Sequence, residues 1–307
     1  MQAEPSTPAW LDRELFPFRS RYLEVDGNRI HYIDEGSGPV LLCLHGNPTW
    51  SFVYRDIVRA LTPYRRCIAL DYPGFGLSTA RPDFDFRPRS HRDVVSAFVD
   101  ALGLDEMTLF VQDWGGPIGL GVAVRNPERV TGLVIANSWA WPVAGDPHFE
   151  YFSTLMGGRL GGWLIPNLNF FVNVLIPLGT RRTMLSRKVM TAYRRPFPTP
   201  DSRRPMHIFP REIIASRRYL EELEQSLTLL SHLPALILWG DRDFAFRSRE
   251  REKFEQMFPN HHTHILQGAG HYVQEDAAAE IARTIRDWWK HESTAAETAR
   301  ADAGARA

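Results

Sequence analysis

At 307 residues and 44% apolar content, the chain can build one large α/β domain or two small ones around a sizeable core. Its 36 basic and 36 acidic residues cancel, and nothing in that balance argues for nucleic acid or an anionic membrane surface as a partner. Cys43 and Cys67 each sit in a strand-like run and read as buried thiols. No run of about 18 apolar residues is present to span a membrane, and Met1 to Ala9 is polar and proline-bearing, unlike a secretory leader. The expectation is a cytoplasmic chain without cofactor or metal, its oligomeric state left open.

In chain order, residues 1–15 are expected to be disordered or loosely packed, with residues 10–18 an aromatic lead-in against the domain. Residues 21–25 and 30–33 flank Asp26-Gly27-Asn28, a hairpin signal. Residues 40–44 form a continuous apolar run and predict a strand at the sheet centre. A helix is predicted over 51–61, a strand over 66–70, a helix over 90–102, a strand over 107–111, a helix over 117–124 and a strand over 130–136. Residues 138–231 change character: helix-like pieces broken by nine prolines, rich in aromatics and arginine, read as a helical cap inserted between two strands. The strand pattern returns at 235–239, followed by a helix over 248–257, a strand over 263–266 and a helix over 275–290. Strands alternating with helices imply a mostly parallel, doubly wound sheet, its core assembled from residues 16–137 and 232–290. Residues 291–307 are Ala-rich and charged without an apolar face and are expected to be disordered.

The chemistry centres on Val111-Gln112-Asp113-Trp114-Gly115-Gly116. A strand turning sharply into a helix there lifts one side chain over the sheet edge, next to unpaired N–H groups and the positive helix end. The lifted residue is Asp113, where an ester hydrolase carries serine. A carboxylate suits displacement at saturated carbon, being ionised at pH 7 without help from a base. In an open parallel sheet, ligands bind beyond the carboxyl ends of the strands. Asn47, Asn137, Asp243 and His271 also follow strand-like runs. His271, in a glycine-bracketed loop, is the candidate base for a later ester hydrolysis, oriented by Asp243, with Asp241 as competitor. The Trp114 indole and the Asn47 amide offer uncharged N–H donors to a leaving halide, and their backbone N–H groups could hold an oxyanion. His261, His262 and His264 lack a matching ligand pattern and read as solvated residues near a strand start.

These motifs resemble the haloalkane dehalogenases. The residues that carry the likeness are His45-Gly46-Asn47-Pro48-Thr49-Trp50, Asp71-Tyr72-Pro73-Gly74-Phe75-Gly76, Gln112-Asp113-Trp114-Gly115-Gly116 and Gly270-His271-Tyr272. The resemblance implies an α/β-hydrolase fold with a cap, and hydrolysis of small apolar haloalkanes through an alkyl ester on Asp113. The common subfamily with an Asn–Trp halide pair places a catalytic Glu where this chain has Asn137; a late acid, Asp243, resembles the third subfamily. By the same likeness Phe171, Leu175, Phe209, Pro210, Phe244 and Tyr272 would line the substrate pocket. β-Lactone decarboxylases of long-chain olefin biosynthesis share the fold and an Asp-His-Asp set and stand as the alternative. Epoxide hydrolysis would need cap tyrosines, for which Tyr151, Tyr193 and Tyr219 are candidates. A ligand receptor on the same scaffold would predict a broken triad.

Overall fold

The computed structural model describes residues 8–305, with side chains through residue 294. Its strands are β1 (Arg21–Val25), β2 (Asn28–Glu35), β3 (Val40–Leu44), β4 (Arg66–Leu70), β5 (Met107–Asp113), β6 (Val130–Ser138), β7 (Ala235–Gly240) and β8 (His261–Leu266). They form one sheet in the order β1-β2-β4-β3-β5-β6-β7-β8. β2 runs antiparallel to both β1 and β4; every later pair is parallel. β3 and β5 are buried along their whole length, as continuous apolar runs in a two-sided sheet must be. The chain steps from β3 to one side, into β4, and then returns to the other side in β5. That reversal opens a crevice at the carboxyl ends of β3 and β5.

The helices are α1 (Arg55–Leu61), α2 (Pro88–Ala101), α3 (Gly115–Ala123), α4 (Pro147–Gly157), α5 (Arg159–Leu168), α6 (Ile176–Gly179), α7 (Arg187–Arg194), α8 (Arg204–Ala215), α9 (Arg217–Ser226), α10 (Ser248–Met257) and α11 (Val273–Ala305). α1 packs on α11 and α2 on α3, so both sheet faces are covered. Between β6 and β7 come α4 to α9, with a π-helical turn at Phe171–Leu175 that continues into α6. A buried joint ties this insertion to the core. Arg55 of α1 donates to both Glu275 carboxylate oxygens, at 2.5 and 2.8 Å, and the Tyr193 hydroxyl of α7 donates to the same carboxylate.

Three expectations change. Residues 8–15 are not loose: Leu11 is buried, Lys188 pairs with Asp12 at 2.8 Å, and Arg59 donates to the Glu14 carbonyl at 2.9 Å. Residues 1–7 lie outside the described residues. The helix expected from residue 51 begins as a 3₁₀ turn at Ser51–Tyr54 before α1. The tail expected to be disordered from residue 291 continues α11 to Ala305, with residues 306 and 307 outside the described residues. Its alanines, glutamates and arginines are strong helix formers and extend a helix already nucleated.

Candidate active site

β5 ends at Asp113 and α3 begins at Gly115, so Trp114 alone makes the turn. Asp113 sits at φ +51°, in the left-handed region that costs a non-glycine residue roughly 1–2 kcal/mol. Close approach of two backbones requires two glycines. A Cβ on Gly115 would lie 2.1 Å from the Leu44 carbonyl oxygen, and one on Gly46 would lie 2.4 Å from the Asp113 Cβ. The turn lifts the Asp113 carboxyl into a cavity of about 190 Å³ between the sheet edge and the inserted helices.

The candidate residues follow the strands across the sheet: Asn47 after β3, Asp113 ending β5, Asn137 next to last in β6, Asp243 after β7 and His271 after β8. The Asn47 backbone N–H donates to Asp113 Oδ2 at 3.2 Å. His271 Nδ1 donates to Asp243 Oδ2 at 3.1 Å, the tautomer being set by an acceptor that can only accept. His271 Nε2 lies 3.9 Å from Asp113 Oδ2, too far for a direct hydrogen bond. Asp241, the competing acid, instead accepts from the Gly268 N–H at 2.6 Å and holds the turn before His271.

Burial pushes Asp113 up to about 7, against the opposing pull of His271 and of the Asn47 and Trp114 N–H groups. Its ionisation therefore falls around neutrality rather than far below it. Burial also works against the imidazolium of His271, but Asp243 and then Asp113 overcome it and hold that pKa above the ordinary value. The two groups thus favour each other's charge.

Trp114 and Asn47 line the cavity together. Trp114 is fixed edge-on to Trp139 at 4.6 Å and against Phe209 at 4.9 Å. The Asn47 amide nitrogen donates to the Met206 carbonyl at 3.2 Å; an amide carries two hydrogens, so one is left for the cavity. Of the expected pocket residues, Phe171, Leu175, Pro210, Phe244 and Tyr272 line the cavity, and Phe209 does not. Phe209 is buried behind Trp114, stacked on His91 at 5.2 Å. Neighbours on a helix point about 100° apart, and in α8 that turns Pro210 to the cavity while Phe209, likewise buried, packs away from it. Trp139, Phe149, Phe152, Ile213 and Phe246 complete an apolar wall that the sequence reading did not name.

Two polar residues had no role assigned from the sequence. Asn137, placed at the ligand-binding edge but noted only as unable to act as the acid, donates to Asp243 Oδ2 at 2.7 Å and exchanges hydrogen bonds with Gly240. The pairing of β5 with β6 slips between Gln112 and Asp113, so Asp113 pairs with Ser138 and Asn137 bulges out at φ +34°. Gln112 Nε2 donates to the His271 carbonyl at 3.2 Å and lies 3.3 Å from His271 Nε2, while its Oε1 is buried without a partner. The only sequence signal for either was a polar side chain at the end of an apolar strand.

The cap tyrosines are mostly engaged elsewhere. Tyr193 is bonded to Glu275, and Tyr219 donates to the Pro117 carbonyl at 2.6 Å. Neither lines the cavity; Tyr151 does, at its mouth. The three expected surface histidines open β8 itself. His261 meets the Phe258 carbonyl, His264 meets Glu280, and His262 lies with His291 and Glu292 within 4.8 Å.

Residues 39–278 match the model of the alpha/beta hydrolase fold family. The chain is 43% identical over 276 residues to haloalkane dehalogenase 2 of Mycobacterium bovis, covering 89% of this chain and 96% of that protein. It is 34% identical over 293 residues to a cis-3-alkyl-4-alkyloxetan-2-one decarboxylase of Shewanella oneidensis, covering 92% and 91%. The crystal structure of a putative ancestral haloalkane dehalogenase superposes with a TM-score of 0.82 at 33% identity, covering 89% of this chain and 99% of that one.

Proposed function

This chain belongs to the α/β-hydrolase family, among relatives named haloalkane dehalogenase, and on that premise we propose that it hydrolyses haloalkanes through an ester on Asp113. The observation that carries the reading is the 3.9 Å gap between His271 Nε2 and Asp113 Oδ2 at a carboxylate-bearing elbow. A serine nucleophile needs its base in hydrogen-bond contact; a carboxylate does not, and the gap leaves the base for water.

In the first step an Asp113 oxygen forms a bond to the halogen-bearing carbon. The carbon–halogen bond breaks, and its electron pair leaves with the halide toward the Trp114 indole and the remaining Asn47 amide N–H. In the second step His271 Nε2 takes a proton from water as its oxygen adds to the ester carbonyl carbon. The bond from that carbon to the alkoxy oxygen then breaks, the leaving alcohol takes the proton back from His271, and the Asp113 carboxylate is regenerated. The Asn47 backbone N–H, already on Asp113 Oδ2, suits the oxyanion that forms. Asp243 stabilises the imidazolium, and Asn137 holds Asp243. Esterification also removes the Asp113 charge that helps to hold a proton on His271. The first step therefore lowers the pKa of the base that the second step requires.

His271→Ala separates the steps. Incubated with a bromoalkane, the variant is expected to release one halide per chain and keep the alkyl mass on Asp113, read by intact mass and peptide mapping. Repeated turnover by the variant would exclude His271 as the base. The 34% identity to the decarboxylase supports a second reading with the same three residues. It would prevail if the unaltered chain ignores bromoalkanes and forms an olefin from a β-lactone.

A further inference from the structure

Among the described residues eight large apolar side chains are exposed, and six of them fall between Tyr151 and Met184: Tyr151, Leu160, Trp163, Leu168, Leu178 and Met184. On α5 they form a pattern. Leu160, Trp163 and Leu168 lie along one face of the helix, and that face looks outward, while Leu164 at its edge packs partly against the core. Trp163 is 56% exposed and Leu160 and Leu168 are each 50% exposed, while Gly161 and Ile165 point inward. An ordinary surface helix does the reverse. Together α5 and the segment Phe171–Gly179 are long and apolar enough for a bilayer span, yet they bend by 80°. A bend that sharp does not make one straight span, and an amphipathic pair of this kind suits the plane of an interface.

The same stretch is strongly basic. From Tyr151 to Arg211 there are ten arginines and lysines against one acid, Asp201, a net +9 in a chain that sums to zero. Arg159, Arg187, Arg195 and Arg211 are exposed and meet no acidic partner among the described residues. Net charge pointed away from an anionic surface; the segregation of charge reverses that expectation for this face. Tyr151, 71% exposed, also lines the mouth of the cavity, so the mouth opens beside this surface.

We propose that the inserted helices dock on an anionic lipid bilayer, with the outward stripe of α5 at the headgroup–acyl boundary and the arginines on lipid phosphates. A second copy of the chain would set the acid-free arginines of one face against those of the other, only Lys188 and Arg182 of the stretch being answered among the described residues, by Asp12 and Glu280. An acidic protein would answer the charge but not a solvent-facing row of leucines around a tryptophan. A bilayer answers both. The inference stands apart from dehalogenation, since vesicle binding and halide release are read separately.

The test is co-sedimentation of the full chain with phosphatidylcholine vesicles, with and without phosphatidylglycerol. Binding is expected only with the anionic lipid and should weaken as salt is raised. Arg187→Glu with Arg195→Glu, and separately Trp163→Ser with Leu168→Ser, should each weaken it by about tenfold or more. Both pairs lie on the surface, so halide release from a soluble bromoalkane should not change. Three results would overturn the proposal: no preference for the anionic vesicles, unchanged binding by the Trp163→Ser, Leu168→Ser variant, or competition by soluble polyglutamate as effective as by vesicles. The last would assign the face to an acidic protein.

Discussion

Asp113 is held in a place that opposes its own charge. In the unfolded chain it ionises near 3.8; in the fold burial delays ionisation to about 7. Between those values the unfolded chain gives up its proton first, so the fold loses stability as pH rises through the window. Asp113→Asn removes the penalty. Steady-state turnover should vanish while Tm rises by about 2–5 °C at pH 8, with no gain at pH 4. A lower Tm at pH 8 would refute the burial argument. Gln112 acts on the other partner. Its amide N–H faces His271 Nε2, a contact that fits an unprotonated nitrogen and resists a protonated one. Gln112→Glu replaces that donor by an acceptor of the same shape. The pH at which ester hydrolysis reaches half its maximum should then rise by about one unit or more, with alkyl-enzyme formation little changed. An unmoved profile would leave Gln112 as packing only.

Between elements, the joint of α1, α7 and α11 carries more than its size suggests. The Arg55–Glu275 pair is buried on both sides, so removing one partner strands a charge. Arg55→Ala should lower stability by about 3 kcal/mol in urea unfolding, and the loss should reach the inserted helices because Tyr193 of α7 shares the carboxylate. Nothing in the sequence marks this joint, since Arg55 and Glu275 are 220 residues apart. What the sequence marked well were β3, β4 and α10, whose bounds agree with the expected residues 40–44, 66–70 and 248–257. Those segments are fixed by their own apolar runs or turn residues. The bulge that aims Asn137 is different in kind. It arises from the register of β6 against β5, a property of the pair that neither strand carries alone. Local glycines single out Asp113 and His271 as candidates in the sequence, and both line the cavity; Phe209 was expected there and does not line it, because helix phase within α8 decides which buried neighbour faces the cavity.

At the scale of the whole molecule, neutrality is an average over two unlike parts, a basic insertion and an acidic remainder. The sheet shows a second kind of order, because the polar residues stand in a row at consecutive strand ends. Asn137 and Asp243 are neighbours in that row and share a hydrogen bond of 2.7 Å. A carboxylate at position 137 would therefore stand beside the place that Asp243 occupies next to His271. Asn137→Glu combined with Asp243→Asn should restore part of the ester hydrolysis that Asp243→Asn alone removes, measured as the decay of the alkyl-enzyme. The route between the two arrangements has a passable midpoint. A chain with acids at both addresses would share one proton between them, as close carboxyls do, and keep one negative charge for the histidine. A chain with neither would lose its base. On the proposed mechanism, the charge can thus pass from one strand end to the next by duplication and then deletion, with no inactive chain between.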